Sequence, residues 1–273
     1  MKYLCDHHTH TSFCDGKHTP REMAERAYSL GFRSYGFSGH GAMPHAKVSQ
    51  MTPEGEIEYV NEILALKEEY AGRMDILLGV EAELGGKVYT KGKNSPFDYI
   101  IGAVHALETE RGFCLLDHHP DNIPYALENF FDGDFDALAE CYYERVSRVP
   151  EGIDASFIAH LDLVSKYKDV HSLTFSERYY DMAFTAVERL IPYGIPFEIN
   201  VGAITRGFRT TPYPDPRILR HIRALGGEIM VNGDTHSADY LGRYLDLGEE
   251  LARSVGYDRK VILTKSGYDY KEL

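Results

Sequence analysis

The sequence predicts a parallel α/β fold closed into a TIM-like barrel, with a metal site at the C-terminal ends of its strands. Three observations lead there. Apolar runs of strand length alternate with amphipathic helical stretches along the 273 residues, the pattern of βα units. No glycine-rich nucleotide fingerprint follows any run, which disfavours an open doubly wound sheet. Successive runs end in His, Glu or Asp, and closed α/β barrels gather their catalytic residues at those ends. A chain of this length forms such a barrel as a single domain, residues 1–273.

Lys2 to His8 reads as a short buried strand running into Asp6-His7-His8-Thr9-His10 and then Thr11-Ser12-Phe13-Cys14-Asp15-Gly16. Strand side chains alternate faces, so His8 and His10 project together with metal-ligand geometry while His7 faces away. Thr19 as N-cap and Pro20 at the first helical position open a helix that ends near Gly31. Ser34 to His40 is the second strand. Thr52-Pro53 opens a helix periodic through Ile57, Val60, Ile63, Leu64 and Leu66, and Asp75 to Leu84 is the third strand, carrying Glu81.

Tyr99 to Leu107 is apolar enough for burial on both faces and delivers His105 as the fourth strand. Residues 108–133 are turn-rich and polar, too long for a plain connector, and read as a lid or insertion. A helix from Phe135 to Val149 precedes strand five, Phe157 to Val164, with His160. A helix from Ser176 to Tyr193 precedes strand six, Pro196 to Val201, and Arg206 and Arg209 lie in the loop beyond it. Pro214-Asp215-Pro216 starts another helix, and strand seven, Glu228 to Asn232, runs into Gly233-Asp234-Thr235-His236. After a helix through Leu251, Lys260 to Thr264 forms an eighth strand or a C-terminal extension.

The predicted strand ends thus carry His8 and His10, His40, Glu81, His105, His160, and Asp234 with His236. A lone histidine in an apolar strand is usually a satisfied core residue, but repetition at strand after strand is not scatter. His18, His45, His118, His119, His171 and His221 remain as solvated or structural residues. Histidine-rich sites with carboxylates suit zinc, manganese or iron, whereas magnesium and calcium prefer oxygen cages. Paired metals lower the pKa of a shared water and orient an anionic substrate, as phosphate-ester hydrolysis requires, with Glu81 as the natural bridging carboxylate.

Composition sets the outer limits. With 29 basic and 42 acidic residues the net charge is -13, which disfavours a nucleic-acid partner, while one phosphate group can still bind where metals and arginines supply positive potential. The cysteines Cys5, Cys14, Cys114 and Cys141 form no C-x-x-C pair, in keeping with a reducing cytoplasm rather than a disulfide or zinc-ribbon framework. No apolar run reaches membrane-spanning length, so no membrane partner is expected.

His8-Thr-His10, the Asp15 loop, Ser38-Gly39-His40, Gly79-Val80-Glu81, Gly102-Ala103-Val104-His105, Ala159-His160-Leu161-Asp162 and Asp234-Thr-His236 together resemble the polymerase-and-histidinol-phosphatase family, PHP, in order and over nearly the whole chain. That resemblance implies a distorted (β/α)7 barrel with three divalent metal ions. It implies His8, His10, Glu81 and Asp234 on the first, Glu81, His105 and His160 on the second, and Asp15, His40 and His236 on the third. Within the family, Ile101-Gly-Ala-Val-His105, Gly133 to Glu140 and Phe197-Glu-Ile-Asn200 look most like the histidinol-phosphatase branch, which removes phosphate from L-histidinol phosphate in histidine biosynthesis.

On this reading the substrate is a small phosphate monoester. Arg206 clamps the phosphate, Arg209 is a reserve contact, and His236 and Asp234 join Arg206 in catalysis. Three departures stand out: Val201-Gly-Ala-Ile-Thr-Arg206 places its arginine one step later than the branch's Thr-Ser-Gly-Leu-Arg, Gly233 stands where the branch usually has serine before the aspartate, and residues 108 to 125 match the branch poorly. The competing readings are a PHP-type protein-tyrosine or nucleotide phosphatase and a non-catalytic metal-binding protein.

Overall fold

Seven parallel strands, each hydrogen-bonded to the next, form a nearly closed barrel in the computed structural model, which describes residues 4–43 and 49–273. β1 (Cys5–Asp6), β2 (Ser34–Phe37), β3 (Asp75–Glu83) and β4 (Tyr99–Ala103) pair in sequence, with α1 (Pro20–Ser29) and α2 (Pro53–Glu69) as crossovers. An antiparallel hairpin follows, β5 (Ala106–Thr109) with β6 (Gly112–Leu115), then α3 (Asn122–Phe130), α4 (Phe135–Val146) and the single turn α5 (Val149–Gly152). β7 (Phe157–Ile158) re-enters the barrel beside β4. α6 (Lys168–His171) and α7 (Glu177–Leu190) lead to β8 (Phe197–Asn200), and α8 (Gly202–Thr205) and α9 (Pro216–Ala224) lead to β9 (Ile229–Asn232). After α10 (Leu245–Ser254) the chain ends in a second hairpin, β10 (Arg259–Thr264) and β11 (Gly267–Glu272).

The helix starts are set locally. Thr19 and Glu22 form a reciprocal capping box on α1, and Thr52, Asp134, Ser176 and Asp215 each accept an amide at the starts of α2, α4, α7 and α9. The seam between β9 and β1 closes past the strands themselves. The His10 amide donates to Thr235 O at 2.9 Å and the Thr235 amide to His8 O at 3.1 Å. Asp6 Oδ1 accepts the amides of Gly233 and His8.

Three strand expectations change. Strand four stops at Ala103 rather than Leu107, because the Glu83 carboxylate takes the His105 and Ala106 amides out of the parallel ladder, and Ala106 and Leu107 pair instead with Leu115 and Cys114. Strand five stops at Ile158, since His160 adopts φ 23° and turns the chain. Lys260 to Thr264 is no eighth barrel strand; its hairpin closes the floor, where Val261 and Leu263 pack against Leu77, Tyr99, Ile101, Phe157 and Met230. The Tyr99 ring fills that layer so closely that a Cβ on Gly79 would come within 2.3 Å of it. Its hydroxyl donates to the carbonyls of His7 and Phe37.

Residues 108–133 contain the rest of the first hairpin and α3. Lys2, Tyr3 and His45 lie outside the described residues. No helix among the described residues is long and apolar enough to cross a membrane.

Candidate metal centre

Glu81 occupies the centre of the C-terminal face, one per cent exposed, on the inward side of β3. Its two oxygens face different histidines. Oε1 lies 3.2 Å from His105 Nε2 and 3.0 Å from His160 Nε2. Oε2 lies 3.3 Å from His8 Nε2, 3.5 Å from His10 Nε2 and 2.9 Å from His40 Nδ1. His8 and His10 project inward together from the end of β1, as their alternation predicts, while His7 points away to Ser34 Oγ at 3.0 Å.

Asp234 and Asp15 complete the ring of carboxylates. Asp234 Oδ1 is 3.4 Å from His10 Nε2 and 3.5 Å from His236 Nδ1. Asp15 sits 3.6 Å from His10, 3.7 Å from His40 and 3.3 Å from His236 Nε2. The turn that presents it is tight: Cys14 and Gly16 both donate to Thr11 O, and a Cβ on Gly16 would meet the Thr11 amide at 2.5 Å. Two positions carry backbone strain, His160 at φ 23° and Asp234 at φ 46°, where side chains other than glycine rarely sit.

Several histidines are oriented by a partner on the ring nitrogen that faces outward. His8 Nδ1 meets Glu198 Oε1 at 2.8 Å, and His105 Nδ1 meets Glu83 Oε2 at 2.9 Å. His236 Nδ1 lies 3.0 Å from the Asp234 carbonyl, which can only accept, so Nδ1 carries a proton, and Nε2 faces Asp15 Oδ1 at 3.3 Å. Glu83 and Glu198 had no assigned role in the sequence reading, and their i, i+2 spacing from Glu81 and Asn200 on inward strand faces was the available signal.

The buried groups shift one another: burial works against charge at His8, His40 and His105, but Glu198 beside His8 and Glu81 beside His40 and His105 outweigh it and hold all three above the ordinary imidazole value. Burial works against charge at Glu81, but His8, His40 and His105 outweigh it and keep the carboxyl well below the usual range. At Asp234 burial is outweighed by Arg206 and His8 in the same direction. Burial, reinforced by His236 and His40, pushes His10 down to about 3, leaving the ring neutral and its lone pair available.

The residues fit a divalent metal. His8 Nε2 and His10 Nε2 are buried with no hydrogen-bond partner, an arrangement that costs free energy unless another group satisfies them. Four sets of donors, His10–Asp15–His40–His236, His8–Glu81–His160, His8–His10–Asp234 and His40–Glu81–His105, each lie within 4.8 Å of one another. Ligands at ~2.1 Å from one tetrahedral zinc ion stand ~3.4 Å apart, close to the separations above.

A cavity of about 130 Å³ opens over this ring, and its lining includes Asp15, His40, Glu81, Asp234, His236 and Arg206. Its lining also includes Leu115, Asp117, His118 and Lys166. His118 therefore belongs to the cavity, with Nδ1 3.2 Å from Ser49 Oγ, rather than among the remote histidines. Arg206 reaches the cavity from the end of α8. Arg209 does not: it is 4% exposed, with Nη1 2.7 Å from Ser165 Oγ and its guanidinium over the Tyr213 ring, so the expected substrate contact has no geometry here.

The PHP domain family model matches residues 6–202. A Deinococcus radiodurans protein named probable histidinol-phosphatase is 31% identical over 267 residues, covering 94% of this chain and 95% of its own. The Bacillus subtilis histidinol-phosphatase is 24% identical over 259 residues, 87% of this chain and 95% of its own. Among solved structures, a Lactococcus lactis histidinol phosphate phosphatase, crystallised with zinc, L-histidinol and phosphate, superposes with a TM-score of 0.66 at 18% identity, covering 97% of this chain and 98% of that one. That last likeness is one of fold.

Proposed function

The chain belongs to the PHP domain family, and from that premise we propose that it is a metal-dependent phosphomonoesterase that hydrolyses L-histidinol phosphate to L-histidinol and phosphate, a step of histidine biosynthesis. The observation that carries this reading is Glu81 with its oxygens divided between two groups of histidines, beneath a cavity that also receives Arg206. The relatives named above support the choice of substrate.

The proposed complement is three divalent ions, zinc, manganese or iron, supported by the overlapping donor sets around Glu81. His8, His10, Glu81 and Asp234 would hold one, Glu81, His105 and His160 a second, and Asp15, His40 and His236 a third. Bound there, such ions lower the pKa of a coordinated water and offset charge on the phosphate oxygens.

The chain's own residues then position the ester. The guanidinium of Arg206 stays charged, because Asp234 outweighs the effect of burial. Nη2 is committed to Asp234 Oδ2 at 2.9 Å, and Nε lies 3.4 Å from Gly202 O, so the remaining edge is left for a phosphate oxygen. Glu198 and Glu83 fix the rings of His8 and His105, which removes reorganisation from the reacting geometry. His236 would serve as a ligand of the third ion beside its expected part in catalysis.

Dialysis against a chelator followed by readdition of manganese or zinc tests the reading. Phosphate release from L-histidinol phosphate is expected to vanish and return with metal. Release that persists in fully metal-free protein contradicts it.

A further inference from the structure

The ring of donors accounts for the phosphate end of a substrate; the cavity lining holds one carboxylate more than that ring uses. Its carboxylates are Asp15, Glu81, Asp234 and Asp117. The first three are enmeshed with the histidines. Among the described residues lining the cavity, Asp117 is the carboxylate that takes no part in any of the four donor sets.

Asp117 is held as a fixed acceptor. It stands two residues past the end of β6, and the intervening Leu116 amide donates to His105 O at 3.0 Å, so the first hairpin seats Asp117 beside the strand end that delivers His105. Lys166, only 3% exposed, donates from Nζ to Asp117 Oδ2 at 2.9 Å and to the Asp117 carbonyl at 3.3 Å. The Tyr167 hydroxyl donates to the same carbonyl. No described residue donates to Oδ1, and the side chain keeps a fifth of its surface open.

Resting on the histidinol phosphate reading, we infer that Asp117 is the specificity residue of this site: its Oδ1 accepts a hydrogen bond from the protonated amine of the substrate, with Lys166 as the residue that positions it. A charge-assisted hydrogen bond in a partly buried site discriminates strongly against a ligand lacking the donor. The site therefore selects phosphate monoesters that carry a cationic amine within the cavity's reach, and it disfavours aryl and nucleotide phosphates, which bring none.

The test uses the metal-reconstituted full chain and two esters that differ by one group, L-histidinol phosphate and its deamino counterpart, 3-(imidazol-4-yl)propyl phosphate. Wild type is expected to prefer the amine in kcat/KM by at least about tenfold, and Asp117→Asn to bring that ratio near unity. Asp117→Glu, which keeps the charge on a longer arm, is expected to regain part of the preference. A wild-type ratio near unity, or a ratio unchanged in Asp117→Asn while both rates fall together, overturns the assignment. If wild type cleaves p-nitrophenyl phosphate but neither imidazolyl ester, the substrate reading fails by itself. Asp117 is then judged on 2-aminoethyl phosphate against ethyl phosphate: collapse of that ratio in Asp117→Asn supports its role, and an unchanged ratio overturns it.

Discussion

Arg206 Nη2 lies 2.9 Å from Asp234 Oδ2, while the other oxygen of the same carboxylate faces His10 Nε2 at 3.4 Å. One aspartate thus connects the arginine at the cavity edge to the histidine cluster beneath it. Asn200 Nδ2 donates to Oδ2, beside the arginine, at 3.3 Å. The arrangement explains why an arginine one step later than the family pattern still reaches the site: α8 winds the intervening residues into a turn, and the carboxylate draws the guanidinium back over the ring.

Replacing the planar fork by a point charge separates charge from geometry. Arg206→Lys is expected to lower kcat/KM for the phosphate ester by roughly 10- to 100-fold, because an ammonium cannot grip Asp234 and phosphate oxygens together. Steady-state kinetics with metal content measured in parallel checks it. Full activity in the variant removes the clamp from the account.

Glu198 serves His8 and His160 at once. Oε1 accepts from His8 Nδ1 at 2.8 Å, and Oε2 accepts the His160 amide at 2.9 Å. Glu198→Gln is therefore expected to weaken metal binding by roughly 10- to 100-fold with the barrel intact. Competition with a fluorescent chelator measures this, and wild-type affinity in the variant contradicts the proposed support of His8.

His7 gives a pH effect of definite sign. Burial, with the nearby Lys260 charge, lowers its pKa from an ordinary 6.5 to about 3. The unfolded chain therefore binds a proton that the folded chain refuses between those values, and the contribution of His7 to stability is lost as pH falls from 6.5 toward 3. The slope is up to about 1.4 kcal/mol per pH unit. Denaturant melts of metal-free wild type and His7→Asn across that window should differ by this slope, and parallel curves contradict it.

The floor hairpin should matter for stability and little for chemistry. Leu263 is 5% exposed against Tyr99 and Met230. Leu263→Ala is expected to cost about 2–4 kcal/mol of unfolding free energy, read from denaturant titration, with metal content retained. An unchanged midpoint shows the hairpin to be an appendage.

What could be read in the chain beforehand was what local chemistry determines. Thr19-Pro20 and Thr52-Pro53 announced helix starts that the backbone hydrogen bonds confirm. His8, His10, Glu81 and His105 were visible because inward strand positions alternate and because the strands end where the site begins. His160 was visible as a residue but not as a turn, since its left-handed backbone depends on Glu198 taking its amide from another strand. The diversion of Ala106 and Leu107 into a hairpin was hidden for the same reason: the cause is the Glu83 carboxylate, distant in sequence. Arg209 looked available because it stood in a loop, and only packing against Ser165 and Tyr213 shows that it is not. Asp117 and Lys166 carry no motif; 49 residues separate them and only the fold joins them.

The most direct test of the central claim is substrate preference. Manganese-reconstituted protein is given L-histidinol phosphate, p-nitrophenyl phosphate and a nucleoside monophosphate at matched concentrations, and phosphate release is followed. The account predicts a kcat/KM for L-histidinol phosphate at least about 100-fold above the others, equivalent to about 2.7 kcal/mol of transition-state discrimination. Equal, weak turnover of all three would contradict it.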